Sequence, residues 1–306
     1  MAGFYDNLKV YDDLIQATMV ETEAAFVPEF NSGTNGAITL GATQMQGNYR
    51  ARTFWKKKTG LITFEDIKDN NDVTDTMIDQ GEHVIPKCKY RVGPVAWDPC
   101  SAVWEGQAPE APYTALGTHL GVEIPLAKLK LGLKALVTAL GVGSTTKVDE
   151  RGTTADATKR LTIPKLIAAK RKLGDRIGAD ITAFMHSTCY YDMAENNLSQ
   201  YQEIFTYEGI FARMGPTGFP IVVLDNDELT FTHSSITKYN VLLLQMGALE
   251  LLDTEMLKDA REVIFLKQNL GERYQGQGTL ALDMKGWSFS KTVTSPTLTE
   301  IGTPTN

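Results

Sequence analysis

The sequence predicts an α+β chain in which a central α/β region holds the main core and two long segments reach away from it. Three observations lead there. Residues 161–198 read as helix, strand and helix. Phe219–Leu224 (FPIVVL) and Tyr239–Leu244 (YNVLLL) are unbroken apolar runs, the pattern of strands covered on both faces. Residues 28–95 are Gly-rich, polar or alternating, with few apolar side chains to build a core of their own.

Taken in order, Phe4, Leu8, Tyr11, Leu14, Ile15 and Met19 recur at helical intervals and predict a short amphipathic helix over residues 4–20 with no evident partner. PEFNSGTNGAITLGATQMQGN, residues 28–48, then predicts an extended arm. Residues 49–64 alternate large and charged side chains around Thr59-Gly60 and predict strand, turn, strand. After the acidic segment 64–83, HVIPKCKYRVGPVAW returns to strand composition, so residues 49–95 are expected to form a protruding two-stranded loop with a polar tip. Such a hairpin is marginal alone and needs a neighbour to lie on.

From Pro112 to Leu140, Leu116, Leu120, Ile124, Leu126, Leu129, Leu133, Leu136 and Val137 mark a long helix closed by Gly141. Pro125 either kinks it or starts a shorter one. Residues 141–160 form a polar connector. In the central stretch, Ile163, Leu166, Ile167 and Leu173 share a helical face, Pro164 suits the first turn, and Lys170, Arg171 and Lys172 meet the negative end of the dipole before a Gly174 C-cap. Ile181–Met185 is a short buried strand. Ser187 or Thr188 is expected to cap a second helix with Tyr190, Met193, Ala194 and Leu198 on one face. The three apolar runs should share one sheet. Residues 262–267 and 279–287 predict two more strands joined by a Gly/Gln-rich turn, and SPTLTEIGTPTN predicts a loosely held tail.

The 306 residues carry a formal net charge of −7 without a basic stripe, which argues against direct high-affinity nucleic-acid binding. No run approaches the ~20 apolar residues of a membrane span. MAGFYDNLKVYDD lacks the basic start and apolar centre of a signal peptide, so the chain is expected to be made and kept in a cytoplasm. Cys88, Cys100 and Cys189 form no CxxC pair and are expected to be reduced thiols.

Several motifs invite chemistry, and each has a plainer reading. Gly141–Lys147 has glycines near a lysine, but the spacing of a phosphate loop fails and the segment follows a helix, so it is expected to be a linker. His186 and Cys189 lie three apart at a helix start, where an imidazole and a helix dipole could activate a thiolate. With no third group to orient them, a capping and packing role is the expectation. Asp225-Asn226-Asp227-Glu228 opens like a calcium loop, yet Ile236 stands where the twelfth-position Glu belongs, so a solvated turn is expected. His83, His119 and His233 are isolated in sequence. Trp55, Trp97, Trp104 and Trp287 are expected to pack in core or interface. No catalytic residue, cofactor or metal site is assigned.

A set of phrases agrees with one known family: NGAITL before the hairpin, NYRARTFW opening it, RVGPV closing it, KLGD and MHS in the centre, FPIVVLDND, QMGAL, and SPTLTEI near the end. From Asn35 onward the chain resembles the major capsid proteins of tailed phages, with the HK97-like fold. The resemblance implies an N-terminal arm over 1–48, an E-loop over 49–95, a P-domain with a long spine helix over 96–160, an α/β A-domain over 161–257, and P-domain return strands with a tail over 258–306. It implies an icosahedral shell of hexamers and pentamers enclosing double-stranded DNA in the virion, with no sequence-specific DNA binding and no enzymatic role. Implied partners are other copies of the chain, a portal, a scaffolding protein, and a maturation protease or decoration protein. MAGFYDN offers no evident cleaved scaffold segment, so the scaffold is expected to be separate. Candidate contact residues on the E-loop are Tyr49, Arg50, Arg52, Trp55, Lys56, Lys57 and Lys58. Some relatives cross-link a Lys to an Asn, but no motif here assigns the Asn or its Glu, and that activity is not carried over. The alternatives are an encapsulin-like compartment shell and, in another class, a cytoplasmic α/β enzyme with a site near His186 and Cys189.

Overall fold

The computed structural model describes residues 4–62, 64, 66–68, 75–98, 106, 108, 110–142, 146–150, 160–174, 180–196, 202–207, 210–214, 218–266, 269–289 and 298–301. Cys100, Trp104, Asn197, Leu198 and most of the 141–160 connector lie outside the described residues.

A helix α1 (Phe4–Gly33) leads into strand β1 (Ile38–Ala42). It corrects the expected short helix and extended arm. The helix continues through Pro28, because Phe26 and Phe30 are fully buried in the main core and that packing outweighs the modest helix propensity of the segment. Ala37, Ile38 and Leu40 are buried there too, so the arm is part of the core.

The long helix is unbroken. α2 (Ala111–Val142) has 32 residues with Pro125 inside it, about 48 Å at ~1.5 Å per residue. α1 lies along it at close range through Gly117 and Gly121, one turn apart. A Cβ on Gly117 would fall 2.8 Å from the Ile15 carbonyl oxygen, and one on Gly121 would fall 2.6 Å from Thr22 Cβ. The partner that the sequence left open for the N-terminal helix is therefore the glycine stripe of α2.

Beneath the helices lies a five-stranded sheet in the order β1, β11 (Leu249–Leu266), β12 (Asn269–Met284), β3 (Gln80–Trp97), β2 (Tyr49–Trp55). β1 runs parallel to β11 and the other pairings are antiparallel. β11 and β12 are far longer than the two short strands expected, and the Gly/Gln-rich stretch is strand instead of turn. Gly276 faces Leu257 and Val92 across the ladder, while Gly278 lies under the Tyr90 ring, where a side chain would collide.

The second sheet has the order β10 (Leu242–Gln245), β4 (Ile181–Met185), β7 (Pro220–Val223), β6 (Ile210–Met214), β5 (Gln202–Tyr207). The three predicted runs do share it, and all five residues of β4 are buried. Tyr239 does not belong to it: the second run divides, and Ile236–Tyr239 (β9) pairs instead with Thr230–His233 (β8). β5 and β6 were not expected. Side chains alternate between faces as a pleat requires. Phe184, Val222, Leu242 and Leu244 join the main core with α2, whereas Ala183, Met185, Ile221 and Val223 face α3 (Ile163–Arg171) and α4 (Ser187–Asn196). α3 ends three residues before Gly174, and Lys172, in right-handed α conformation at φ −65°, is its C-cap, which corrects the expected glycine cap; Gly174 takes the left-handed conformation at φ +59° in the turn that follows. The tail is anchored: α5 (Leu298–Ile301) puts Ile301 into the main core.

Two ion clusters, one buried and one part-buried, fix α2 to the sheet. At its start, the Tyr113 hydroxyl donates to Glu272 at 2.8 Å, and Arg261 lies 2.6 Å from the same carboxylate and over the Tyr113 ring. At mid-length, Lys128 meets Asp253 of β11 at 2.6 Å and Glu23 of α1 at 3.2 Å.

Candidate assembly surface

The E-loop candidate is built from β2 and the outer half of β3. Tyr49 pairs with Pro86 and Trp55 with Gln80, and a Lys56 N–H donates to the Asp79 carbonyl at 2.9 Å to close the last rung. Among the described residues no second strand follows Thr59-Gly60, which corrects the expected local turn: the strand partner of 49–55 is 80–86. Phe54 lies across Gly81, its register partner, where any Cβ would meet the ring at 2.5 Å. All seven residues of β2 are exposed, and β2 is the edge of its sheet.

The candidate contact residues divide by the strand period. Arg50, Arg52 and Phe54 lie on one face with Ile85 and His83, while Tyr49 and Trp55 lie on the other. Lys56, Lys57 and Lys58 follow as an exposed cationic run.

The tip carries the exposed charged residues the sequence suggested, among them Asp66, Lys68 and Asp75, and exposed apolar ones beside them. Leu61, Ile62, Phe64, Ile67, Met77 and Ile78 all project from it exposed, Phe64 at 96 % of its full surface. The run Leu61-Ile62 and the pair Met77-Ile78 were the available signal, hidden by the Asp and Asn residues between them. A monomer rarely leaves so many large apolar side chains in water within one short segment, and exposed apolar surface of this kind marks an interaction site.

The centre considered for catalysis is put to a different use. The Cys189 thiol is buried between α4 and the second sheet, and burial, then the Asp192 carboxylate, pushes it up to about 12. Cys88 is likewise pushed up by burial to about 11. His186, not Ser187, stands at the cap of α4: its Nδ1 accepts from the Thr188 N–H at 3.2 Å, and Nε2 faces Asp225 at 3.5 Å. Asp225 also accepts from the Ser187 N–H at 3.0 Å. Burial raises that carboxyl, but its bonds to Ser187 and the His186 charge outweigh burial and hold it below the usual range. Asn226 caps the 3-10 turn Asp227–Leu229, consistent with a turn there. His83, isolated in sequence, lies 2.6 Å from Asp283. Trp97 packs edge-on to Tyr113, Trp287 lies against the main core, and Trp55 is exposed. Among the described residues no three His, Cys, Asp or Glu gather into a metal-binding group. Among the described residues, no helix is long and apolar enough to cross a membrane.

The model of one family, Gp13-like, described as major capsid protein 13-like, matches residues 7–306. The chain belongs to this family of major capsid proteins. No curated protein matches the sequence of this capsid protein. Among solved structures, the cyanophage Pam1 capsid asymmetric unit is similar at 12 % identity and a TM-score of 0.52, covering 81 % of this chain and 84 % of that one. The capsid of Ralstonia phage GP4 is similar at 12 % identity and a TM-score of 0.50, covering 82 % and 84 %. These likenesses are of fold, and the fold is the HK97-like capsid fold of phages. The capsid protein is thus a structural subunit of a virion shell, and the family match favours that role over a compartment shell.

Proposed function

We propose that this capsid protein closes into an icosahedral shell of hexamers and pentamers around a double-stranded DNA genome, with the E-loop tip seated on a neighbouring copy. The observation that carries this is that Leu61, Ile62, Phe64, Ile67, Met77 and Ile78, in the segment between the two strands of an edge hairpin, are all exposed. Burying one Phe or Ile is worth about 1.5–3 kcal/mol, so a few such contacts per copy would drive association of a shell. Tyr49, Arg50, Arg52, Trp55, Lys56, Lys57 and Lys58 would flank that seat as polar and aromatic rim contacts.

The same reading divides the chain into an arm (1–48), E-loop (49–95), P-domain with spine (96–160), A-domain (161–257) and return strands with tail (258–306). It assigns no catalytic role. Assembly would take place in the host cytoplasm with a portal, a scaffolding protein, and a maturation protease or decoration protein. A net charge of −7 would keep the wall from gripping the packaged DNA.

The test replaces Phe64 and Ile67 together by Ser and measures particle size by light scattering and negative-stain microscopy. Wild type, with co-expressed scaffold where needed, should give closed shells, and the variant should remain as small species with an unchanged unfolding midpoint. Normal shells from the variant would remove the tip from the assembly contact.

A further inference from the structure

β3 changes partner partway along its length. From Lys87 to Trp97 it is in register with β12, whereas from Gln80 to Pro86 its register partner is β2. Beyond Ala281, β12 continues to Met284 in register with β11. Among the described residues, no register pair therefore joins the outer half of β3 to the body. The hairpin and the body part at Pro86–Lys87.

Side chains bridge the gap. Ile85 packs with Met45 and Ala281 next to the parting point. Two residues further out, His83 Nε2 lies 2.6 Å from Asp283 Oδ1. Because a carboxylate can only accept, the imidazole N–H is the donor. Arg52, the register partner of His83, brings Nη1 to 4.0 Å from the other oxygen, Oδ2. The Val84 N–H donates to Ser288 Oγ at 2.9 Å. Asp283 is itself buried in the body. Glu250, its register partner on β11, is held by Lys285 at 3.2 Å, so the Asp283 carboxylate is directed to the hairpin.

We propose that Asp283 is a latch that sets the angle of the 49–55/80–86 hairpin to the body, with Ile85 as the fulcrum. Releasing His83 and Arg52 would let the hairpin swing while both ladders stay paired. That this angle aims an assembly contact rests on the proposed function; the latch does not.

Hydrogen exchange on the full chain before assembly tests it, with the Val84 amide as reporter. His83→Ala and Asp283→Asn should each speed exchange at Val84 roughly tenfold, as expected for loss of a charge-assisted hydrogen bond. β11 and β12 amides should keep wild-type protection, and the double variant should do no more than Asp283→Asn alone, since that change already removes the charge that both His83 and Arg52 face. Unchanged exchange at Val84 in both variants would overturn the latch. So would parallel loss of protection in β11 and β12, which would make Asp283 a support of the body. Failure of the tip variants to affect assembly would leave this result untouched.

Discussion

Lys128 Nζ lies 2.6 Å from an Asp253 carboxylate oxygen, joining the spine helix to the central sheet, with Glu23 of α1 at 3.2 Å completing the cluster. Burial raises the Asp253 carboxyl above its ordinary range, with the Lys128 charge acting against that and Glu23 adding to it. Burial, followed by the same two carboxylates, also raises the neighbouring Tyr90 hydroxyl.

Lys128→Met should therefore strand two like charges. The expected cost near neutral pH is about 3 kcal/mol, at the low end for a broken buried pair because Glu23 and Asp253 keep 28 % and 24 % of their side-chain surface. The sign with pH follows from the raised carboxyl: the folded state holds that proton more tightly than the unfolded chain, so stability falls as pH rises through the carboxylate range. The deficit of Lys128→Met should accordingly shrink on acidification. Guanidinium unfolding at neutral pH and near pH 4 measures it; a deficit that grows in acid would contradict the assignment.

Gly121→Ala tests the helix contact. Alanine favours a helix interior by about 1 kcal/mol, but its Cβ would stand 2.9 Å from the Met19 carbonyl oxygen, which side-chain rotation cannot move. The net expectation is a loss of about 1–2 kcal/mol and faster proteolysis of α1. A stabilised variant would mean that the helices separate freely.

Asp225→Asn probes the α4 cap. The Asp225 carboxyl is held below its ordinary value, so its contribution is present above that value and lost as pH falls through the lowered one. The side chain is largely exposed, which limits the cost to a few tenths to about 1 kcal/mol. Wild type and variant should converge in unfolding midpoint under acid conditions. A gap that persists in strong acid would assign the effect to packing.

Elements whose signals are local were legible. Ile181–Met185, four apolar residues and Thr182, is a strand over the same residues the sequence predicts, and the long helix expected over 112–140 spans 111–142. The places that failed depend on distant partners. α1 runs on through Pro28 because Phe26 and Phe30 have a core to enter, which nothing nearby in sequence reveals. The mixed charges of residues 249–261 hid the inner part of β11, whose ladder with β12 is interrupted by register shifts between Asp253, Glu255 and Lys258. At the candidate assembly surface, the β2 residues were legible from their alternation. The apolar tip was masked by its acidic neighbours, and the Asp283 contact joins residues 200 positions apart in sequence.

Because β3 serves both the hairpin and the body, the two are locked in parity. Inserting one residue between Ile85 and Lys87 would turn His83 and Ile85 to the opposite face, exchanging the surfaces of the hairpin while leaving the body ladder from Lys87 onward in place. Changes of length are tolerable between Lys56 and Asp79, where no strand is described, and the reach of the tip can vary there without altering which way it faces.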